Sequence, residues 1–190
     1  MKNNARSPCT NAGNRHSLAA DLCRLSVIRL SLHLLITTLL GLHPIQAYAE
    51  GDPALLNLSI GEVGLDRSLD NATRYGLEYR FQPMNFYQLI PTVGNVWVDN
   101  GATFTYFEMR RDFPVREHWL LTPSFGLGVF HEGRGLRLGH STEFRSGVEL
   151  SYRFPNRYRL GLAIYHLSNG GLSKENPGTE SVVCSVSIPM

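Results

Sequence analysis

From about residue 55 onward the chain alternates between apolar and polar side chains, and this period of two is what most constrains its fold. Between residues 73 and 81 one face carries Thr, Tyr, Leu, Tyr and Phe, while the other carries Arg, Gly, Glu and Arg. Residues 144–154 and 119–129 follow the same pattern. Successive side chains of a β-strand point to opposite faces of a sheet, so the pattern predicts strands. We therefore expect an all-β fold.

Eight alternating segments can be counted, and turn-forming residues separate several of them. The predicted strands are 55–63, 72–82, 87–98, 102–114, 118–132, 142–154, 157–169 and 179–190. An even number suits a closed antiparallel barrel, which leaves no strand edge in lipid. Two prolines, Pro91 and Pro123, fall inside predicted strands. Because proline lacks a backbone donor, each must coincide with a bulge or a strand end.

Two architectures share this period but differ in where the apolar face points. In a soluble sandwich, or in a periplasmic lipocalin-like binder, it points inward; in a transmembrane barrel it faces lipid. The polar faces here mix Arg and Glu with Gly, which suits a narrow lumen of paired charges and small fillers. Tyr, Phe and Trp lie near segment ends, where a membrane-interface girdle would place them. We predict an eight-stranded antiparallel transmembrane β-barrel.

The first 49 residues resemble a secretory signal peptide and are set apart from the fold. Basic residues precede an apolar run over 30–42, which ends near Ala47-Tyr48-Ala49, an A-x-A-like cleavage site. The run is shorter than the about 20 residues that a membrane-spanning helix needs. We expect residues 1–49 to be cleaved, and residues 50–190 to form one barrel in the bacterial outer membrane.

Charge and cysteine content exclude other classes of function. The formal net charge is only +2 and no basic run occurs, so we expect no nucleic-acid partner. After signal cleavage only Cys184 remains, which rules out an internal disulfide and suggests no Cys/His metal site.

The residues best suited to chemistry are His166, Ser168 and Glu180, near the ends of the last two predicted strands. Alternation places all three on the outward, apolar face. An imidazole can activate a serine hydroxyl, and a carboxylate can orient the imidazole. A symmetric hairpin would put Glu180 opposite Ser168, whereas a small register shift would put it opposite His166. The alternative is that the three residues have no catalytic role, because His-x-Ser is a common pattern and Glu180 is a water-exposed residue at a loop exit.

Connection lengths suggest an orientation for this hairpin. Bacterial barrels have short periplasmic turns and longer outer loops. The connection at Pro155-Asn156 is short, and the one over 170–178 is long. If both chain ends are periplasmic, the three residues lie near the outer leaflet, where lipopolysaccharide is found.

At these residues the chain resembles the outer-membrane lipid A 3-O-deacylase family, PagL. The matching residues are His166-Leu167-Ser168-Asn169, Gly171-Leu172, Asn176-Pro177-Gly178 and Glu180. The resemblance implies hydrolysis of the ester-linked acyl chain at the 3-position of lipid A, and it implies no metal or organic cofactor. It implies that Ser168 is the nucleophile, His166 the general base and then acid, and Glu180 the orienting carboxylate.

The connecting loop and the chain's last residues carry further expectations. Support for the loop or for the oxyanion is expected from Asn169, Gly170, Gly171 and Asn176.

The chain ends in Pro189-Met190 instead of the terminal aromatic residue common in such barrels, which weakens the assembly signal. A homodimer is left open. The alternative function is that of a non-enzymatic outer-membrane barrel with a structural or adhesion role.

Overall fold

The structure, a computed structural model, describes residues 52–64, 72–135 and 137–190. The predicted signal peptide, 1–49, lies outside the described residues. The described ranges contain nine strands: β1 (Leu55–Val63), β2 (Ala72–Arg80), β3 (Ile90–Val98), β4 (Thr103–Arg110), β5 (Phe113–Pro114), β6 (Trp119–His131), β7 (Thr142–Arg153), β8 (Arg159–Ser168) and β9 (Thr179–Pro189). No helix in these ranges is long and apolar enough to cross a membrane.

The strands close into an antiparallel barrel. Each long strand pairs with its neighbours in chain order, β1 pairs with β9, and β4 pairs with β6 to complete the circle. The two-residue β5 pairs only with β6. Eight long strands therefore form the wall, as predicted. The β3–β4, β6–β7 and β8–β9 connections lie at one end of the barrel, here called the site end. The chain terminus lies at the other end, where Met190 N donates to Ala54 O at 2.9 Å.

One predicted strand, 102–114, is divided into β4 and β5 because of a proline on the facing strand. The register is the same on both sides of the division, since Arg110 lies opposite Ser124 and Phe113 lies opposite Leu121. Pro123 falls in the gap and has no N–H to donate, so the ladder is interrupted there. Its carbonyl oxygen still accepts from Arg111 N at 3.3 Å. A proline inside a strand thus coincides with a break, as expected.

A second difference concerns the start of β3, which was predicted at residue 87 and lies at Ile90. Residues 85–88 form a turn, in which Tyr87 and Gln88 have left-handed φ values of 52° and 55°. Left-handed backbone cannot continue a strand. Pro91 therefore lies at the beginning of β3, the second position where a proline is tolerated.

The apolar face of the wall points outward and the charged face points into the lumen. On β2, the side chains of Arg74, Glu78 and Arg80 are buried, whereas Tyr75 and Leu77 are exposed. The other strands alternate in the same sense. This is the arrangement predicted for a transmembrane barrel, and it excludes the soluble sandwich and the lipocalin-like binder, which would bury the apolar face.

Two layers fill the lumen. The middle holds a charged cluster, in which three arginines pair with three glutamates: Arg80, Arg110, Arg145, Glu78, Glu108 and Glu149. Towards the site end lies an apolar layer formed by Val63, Val96, Ala102, Phe104, Phe130, Leu138 and Leu167. Glycine makes room where the charged layer is crowded: a Cβ on Gly147 would lie 2.1 Å from Tyr165 Cδ1. These layers make the wall a rigid support for residues on its outer surface.

Candidate active site

The register of β8 and β9 brings His166 and Glu180 together on the outer surface. The two residues are direct cross-strand partners, which settles the register that the sequence left open. His166 Nδ1 and Glu180 Oε1 lie 2.8 Å apart, a hydrogen-bonding distance. The two side chains are 46% and 40% exposed, so the pair faces the surroundings of the barrel. The remaining ring nitrogen, Nε2, is available for chemistry.

Ser168 is the last residue of β8 and lies on the same face as His166, two positions further along. Its cross-strand partner on β7 is Phe144, while the partner of His166 on that side is Ser146. In the described part of the chain, no hydrogen bond joins Ser168 to the imidazole, whose hydrogen bond is the one to Glu180. Catalytic hydrogen bonds are often long without substrate and tighten on binding. The structure thus places the three predicted residues on one surface and joins two of them.

Gly178 is among the residues that carry the family resemblance, but the sequence predicted no role for it at the site. It lies next to the start of β9 with a left-handed φ of 64°. A Cβ at this position would lie 3.0 Å from His166 Cε1 and 3.7 Å from Nε2. The absence of a side chain therefore leaves the reactive edge of the imidazole open. Its sequence signal was the Pro177-Gly178 pair before the strand, a turn signature that does not reveal a contact with histidine.

Asn169 holds the β8–β9 loop from inside the barrel. Its side chain is fully buried, opposite in direction to its neighbour Ser168. Its Nδ2 donates to Leu138 O at 3.0 Å and to Glu175 O at 2.8 Å, and its Oδ1 accepts from Gly171 N at 3.0 Å. Both amide hydrogens are therefore engaged. Of the two roles expected for Asn169, loop support is the one that its geometry supports.

The other residues expected to support the loop or the oxyanion are Gly170, Gly171 and Asn176. Asn176 is exposed, and its Oδ1 accepts from Asn169 N at 3.0 Å. Gly171 N is engaged with the Asn169 side chain. Gly170, at φ 63°, lies against the ring of Phe144, where an added Cβ would be 3.0 Å away. These contacts engage neither Asn176 Nδ2 nor Gly170 N–H.

The surroundings of the site are apolar. Phe144, beside Ser168, stacks on Phe125 with ring centroids 6.2 Å apart. Further along β8 the outer face presents three exposed aliphatic side chains: Leu160, Leu162 and Ile164. In a membrane this surface contacts acyl chains, so the polar residues lie at the end of a hydrophobic stripe.

Metal-binding capacity is low in the described ranges. They contain no group of three or more His, Cys, Asp or Glu side chains that could hold a metal ion. Cys184 is exposed on the outer face of β9, between Ile60 and Leu162 on the adjoining strands. These neighbours are apolar, as expected for a membrane-facing position.

The comparisons with known proteins agree with the barrel fold. The family model described as lipid A 3-O-deacylase (PagL) matches residues 63–189. The crystal structure of the outer membrane enzyme PagL is similar in fold, with a TM-score of 0.57 and 19% identity, over 72% of this chain and 99% of that one. A de novo designed transmembrane β-barrel (TM-score 0.48, 15% identity, 74% and 98% covered) and Ail from Yersinia pestis (0.42, 16%, 72% and 100%) are also similar. No curated protein sequence matches the chain. The chain belongs to the PagL family of lipid A 3-O-deacylases and is a barrel of the bacterial outer membrane.

Proposed function

We propose that this protein hydrolyses the ester-linked acyl chain at the 3-position of lipid A, in the outer leaflet, with Ser168, His166 and Glu180 as a catalytic triad. The observation that carries the proposal is the 2.8 Å contact between His166 Nδ1 and Glu180 Oε1 on the lipid-facing surface, beside Ser168. Polar side chains on such a surface are costly unless they satisfy one another or perform chemistry. Membership of the lipid A 3-O-deacylase family indicates which bond is hydrolysed, namely the ester that links the acyl chain to the 3-position.

The chemistry follows from the positions of the three side chains. Glu180 accepts the Nδ1 proton of His166, so that Nε2 carries a lone pair and can take the proton of the Ser168 hydroxyl. Ser168 Oγ then attacks the ester carbonyl carbon. The negative charge that develops on the carbonyl oxygen requires donors, for which Gly170 N–H and Asn176 Nδ2 are the candidates.

The two halves of the reaction use the same imidazole. Collapse of the first tetrahedral intermediate breaks the ester C–O bond, and the imidazolium of His166 returns its proton to the departing 3-hydroxyl of lipid A. A water molecule, deprotonated by His166, then attacks the acyl–Ser168 ester. Breakdown of this second intermediate releases the fatty acid and restores the serine. No metal or organic cofactor is needed for these steps.

The apolar stripe on β8 supports lateral entry of the substrate. An acyl chain lying along Leu160, Leu162 and Ile164 points its ester towards Ser168 at the site end. The connection between β7 and β8 is shorter, over 154–158, than the one over 169–178. Short turns are periplasmic in such barrels, which supports an outer-leaflet position for the site.

The test compares lipid A by mass spectrometry in bacteria that express the parent or a serine variant. We expect the parent to remove one 3-linked acyl chain, and Ser168→Ala to remove none. Ser146→Ala is the matched control, because Ser146 is the other serine next to His166 on this surface and lies directly opposite the imidazole. It should deacylate like the parent. Heat-modifiable mobility on gels confirms that each variant is folded.

A third variant tests the carboxylate. Glu180→Gln keeps the shape but cannot stabilise the imidazolium, so we expect a loss of rate of up to roughly 10⁴-fold. Activity that persists in Ser168→Ala and vanishes in Ser146→Ala would show that Ser146, and not Ser168, is the nucleophile. Unchanged lipid A with the folded parent would favour the non-enzymatic barrel. A homodimer, which the sequence left open, is not supported by the comparisons.

A further inference from the structure

In the part of the lumen that the structure describes, Arg74 differs from the other arginines because no carboxylate lies beside its charge. Its side chain is only 3% exposed. Nη1 donates to Ser181 Oγ at 2.8 Å, whereas Nε and Nη2 have no hydrogen-bond partner. Among the described residues, no Asp or Glu oxygen lies within ion-pair distance of this guanidinium. Arg80, Arg110 and Arg145, by contrast, each pair with at least one glutamate.

An unpaired guanidinium in this position is energetically unfavourable. Arginine cannot lose its proton under ordinary conditions, so it cannot become neutral as a buried lysine or carboxylate can. A buried charge without a counter-charge is among the most costly features of a protein interior. The stability of the barrel is therefore easier to explain if a negative charge from elsewhere lies close to Arg74.

The structure contains a space for such a charge. A cavity of about 20 Å³ lies between the charged layer and the apolar layer of the lumen. Its polar lining includes Arg74, Arg145, Thr179 and Ser181. Arg145 Nε and Thr179 Oγ1 also lack hydrogen-bond partners. One water-sized particle needs about 10–15 Å³, so the cavity can hold one.

We propose that this cavity binds a single small monovalent anion of the size of chloride. Arg74 supplies the positive charge, and the hydroxyl groups of Thr179 and Ser181 donate hydrogen bonds. Ser181 Oγ already accepts from Arg74, which leaves its own hydrogen free to point at the anion. Room for about one water-sized particle favours a monatomic anion over phosphate, sulfate or a carboxylic acid. This site is separate from the triad, since its residues face the lumen.

Water alone is a poorer occupant for a physical reason. A water molecule would satisfy donors but would leave the charge of Arg74 uncompensated. In the part of the chain that the structure describes, Glu143 is a buried lumen carboxylate that belongs to no ion pair; neither of its oxygens accepts a hydrogen bond, and it does not line the cavity. Glu143 therefore serves as a matched control, because it is a buried lumen charge away from the proposed site.

The first experiment locates the ion directly. The barrel is refolded from urea into detergent with bromide as the sole halide, crystallised, and measured at the bromine absorption edge. We expect an anomalous difference peak between Arg74, Thr179 and Ser181. A site without an anomalous peak, whether empty or holding only water, would overturn the proposal.

The second experiment measures the effect of the ion on stability. The protein is refolded at constant ionic strength in chloride or in gluconate, an anion too large for the cavity. The parent and Glu143→Gln should melt several degrees higher in chloride, and Arg74→Gln should lose this difference. If Arg74→Gln does not fold, Thr179→Val should reduce the chloride effect. An equal chloride effect in Arg74→Gln, or none in the parent, would contradict the assignment.

Discussion

The centre of the lumen makes a quantitative prediction about Glu78. Five side chains donate to its carboxylate at distances of 2.6–3.3 Å: Asn57, Arg80, Tyr106, Arg110 and Arg145. Glu78 is itself 2% exposed, so water cannot replace these contacts. Glu78→Gln removes the charge and turns an amide group towards guanidinium donors. The substitution therefore leaves buried arginines without part of their counter-charge.

The size of the effect follows from the burial of this cluster. Removing one partner of a buried ion pair costs about 3–5 kcal/mol, because the other charge remains in the interior without compensation. The dependence of unfolding free energy on urea is about 1–3 kcal/mol per molar for small proteins. We therefore expect the urea midpoint of Glu78→Gln to fall by about 1 M or more.

Glu143→Gln is the control for this prediction. Both glutamates are buried in the lumen, but neither oxygen of Glu143 accepts a hydrogen bond. The same substitution there removes no contact, and we expect a change of less than about 1 kcal/mol. Urea titrations of protein folded in lipid vesicles, followed by the fluorescence of Trp97 and Trp119 on the outer wall, measure both midpoints. Equal midpoints for the two variants would refute the argument that the hydrogen-bonded cluster stabilises the barrel.

Two further predictions concern the β8–β9 loop. Gly178→Ala should lower deacylation at least about 10-fold, because its Cβ would crowd His166 Cε1 at 3.0 Å. Gly101→Ala, whose glycine also has a positive φ but has nothing within 4 Å of an added Cβ, should show only the backbone cost of about 1 kcal/mol; equal rates for both variants would exclude the crowding. Asn169→Ala should destabilise the protein by about 2–4 kcal/mol, because it leaves Leu138 O and Glu175 O without a donor. It should also speed amide hydrogen exchange in the β6–β7 loop, which contains Leu138, and in the β8–β9 loop, which contains Glu175. Unchanged exchange would show that the loops are held by other contacts.

Much of the fold could be predicted because alternation is local and the lumen is narrow. Strand parity alone places Arg74, Glu78 and Arg80 inside and Tyr75 and Leu77 outside, and a one-residue error would reverse every position. The eight long strands could be counted for the same reason. Parity likewise places His166 and Glu180 on the outer surface before any partner of either strand is known.

The remaining features depend on contacts between strands, which a single sequence does not encode in a local pattern. The division of β4 from β5 arises from Pro123 on the facing strand, so residues 111 and 112 give no sign of it. The pairing of His166 with Glu180 depends on the length and shape of the whole β8–β9 loop. The contact of Gly178 with the imidazole follows from that same register. Each is a consequence of register, not of composition.

The alternation also explains how one short segment can both carry the proposed catalytic side chains and hold its own loop. From Tyr165 to Asn169, the odd-numbered side chains are buried in the lumen and the even-numbered ones face outward. Leu167 joins the apolar layer, and Asn169 fixes two loops by hydrogen bonds, so the backbone that carries His166 and Ser168 is held from behind. A site on the outer wall has lipid on its open side and cannot rely on a surrounding cleft for rigidity. Its precision must come from the interior, which is what the buried odd-numbered residues provide.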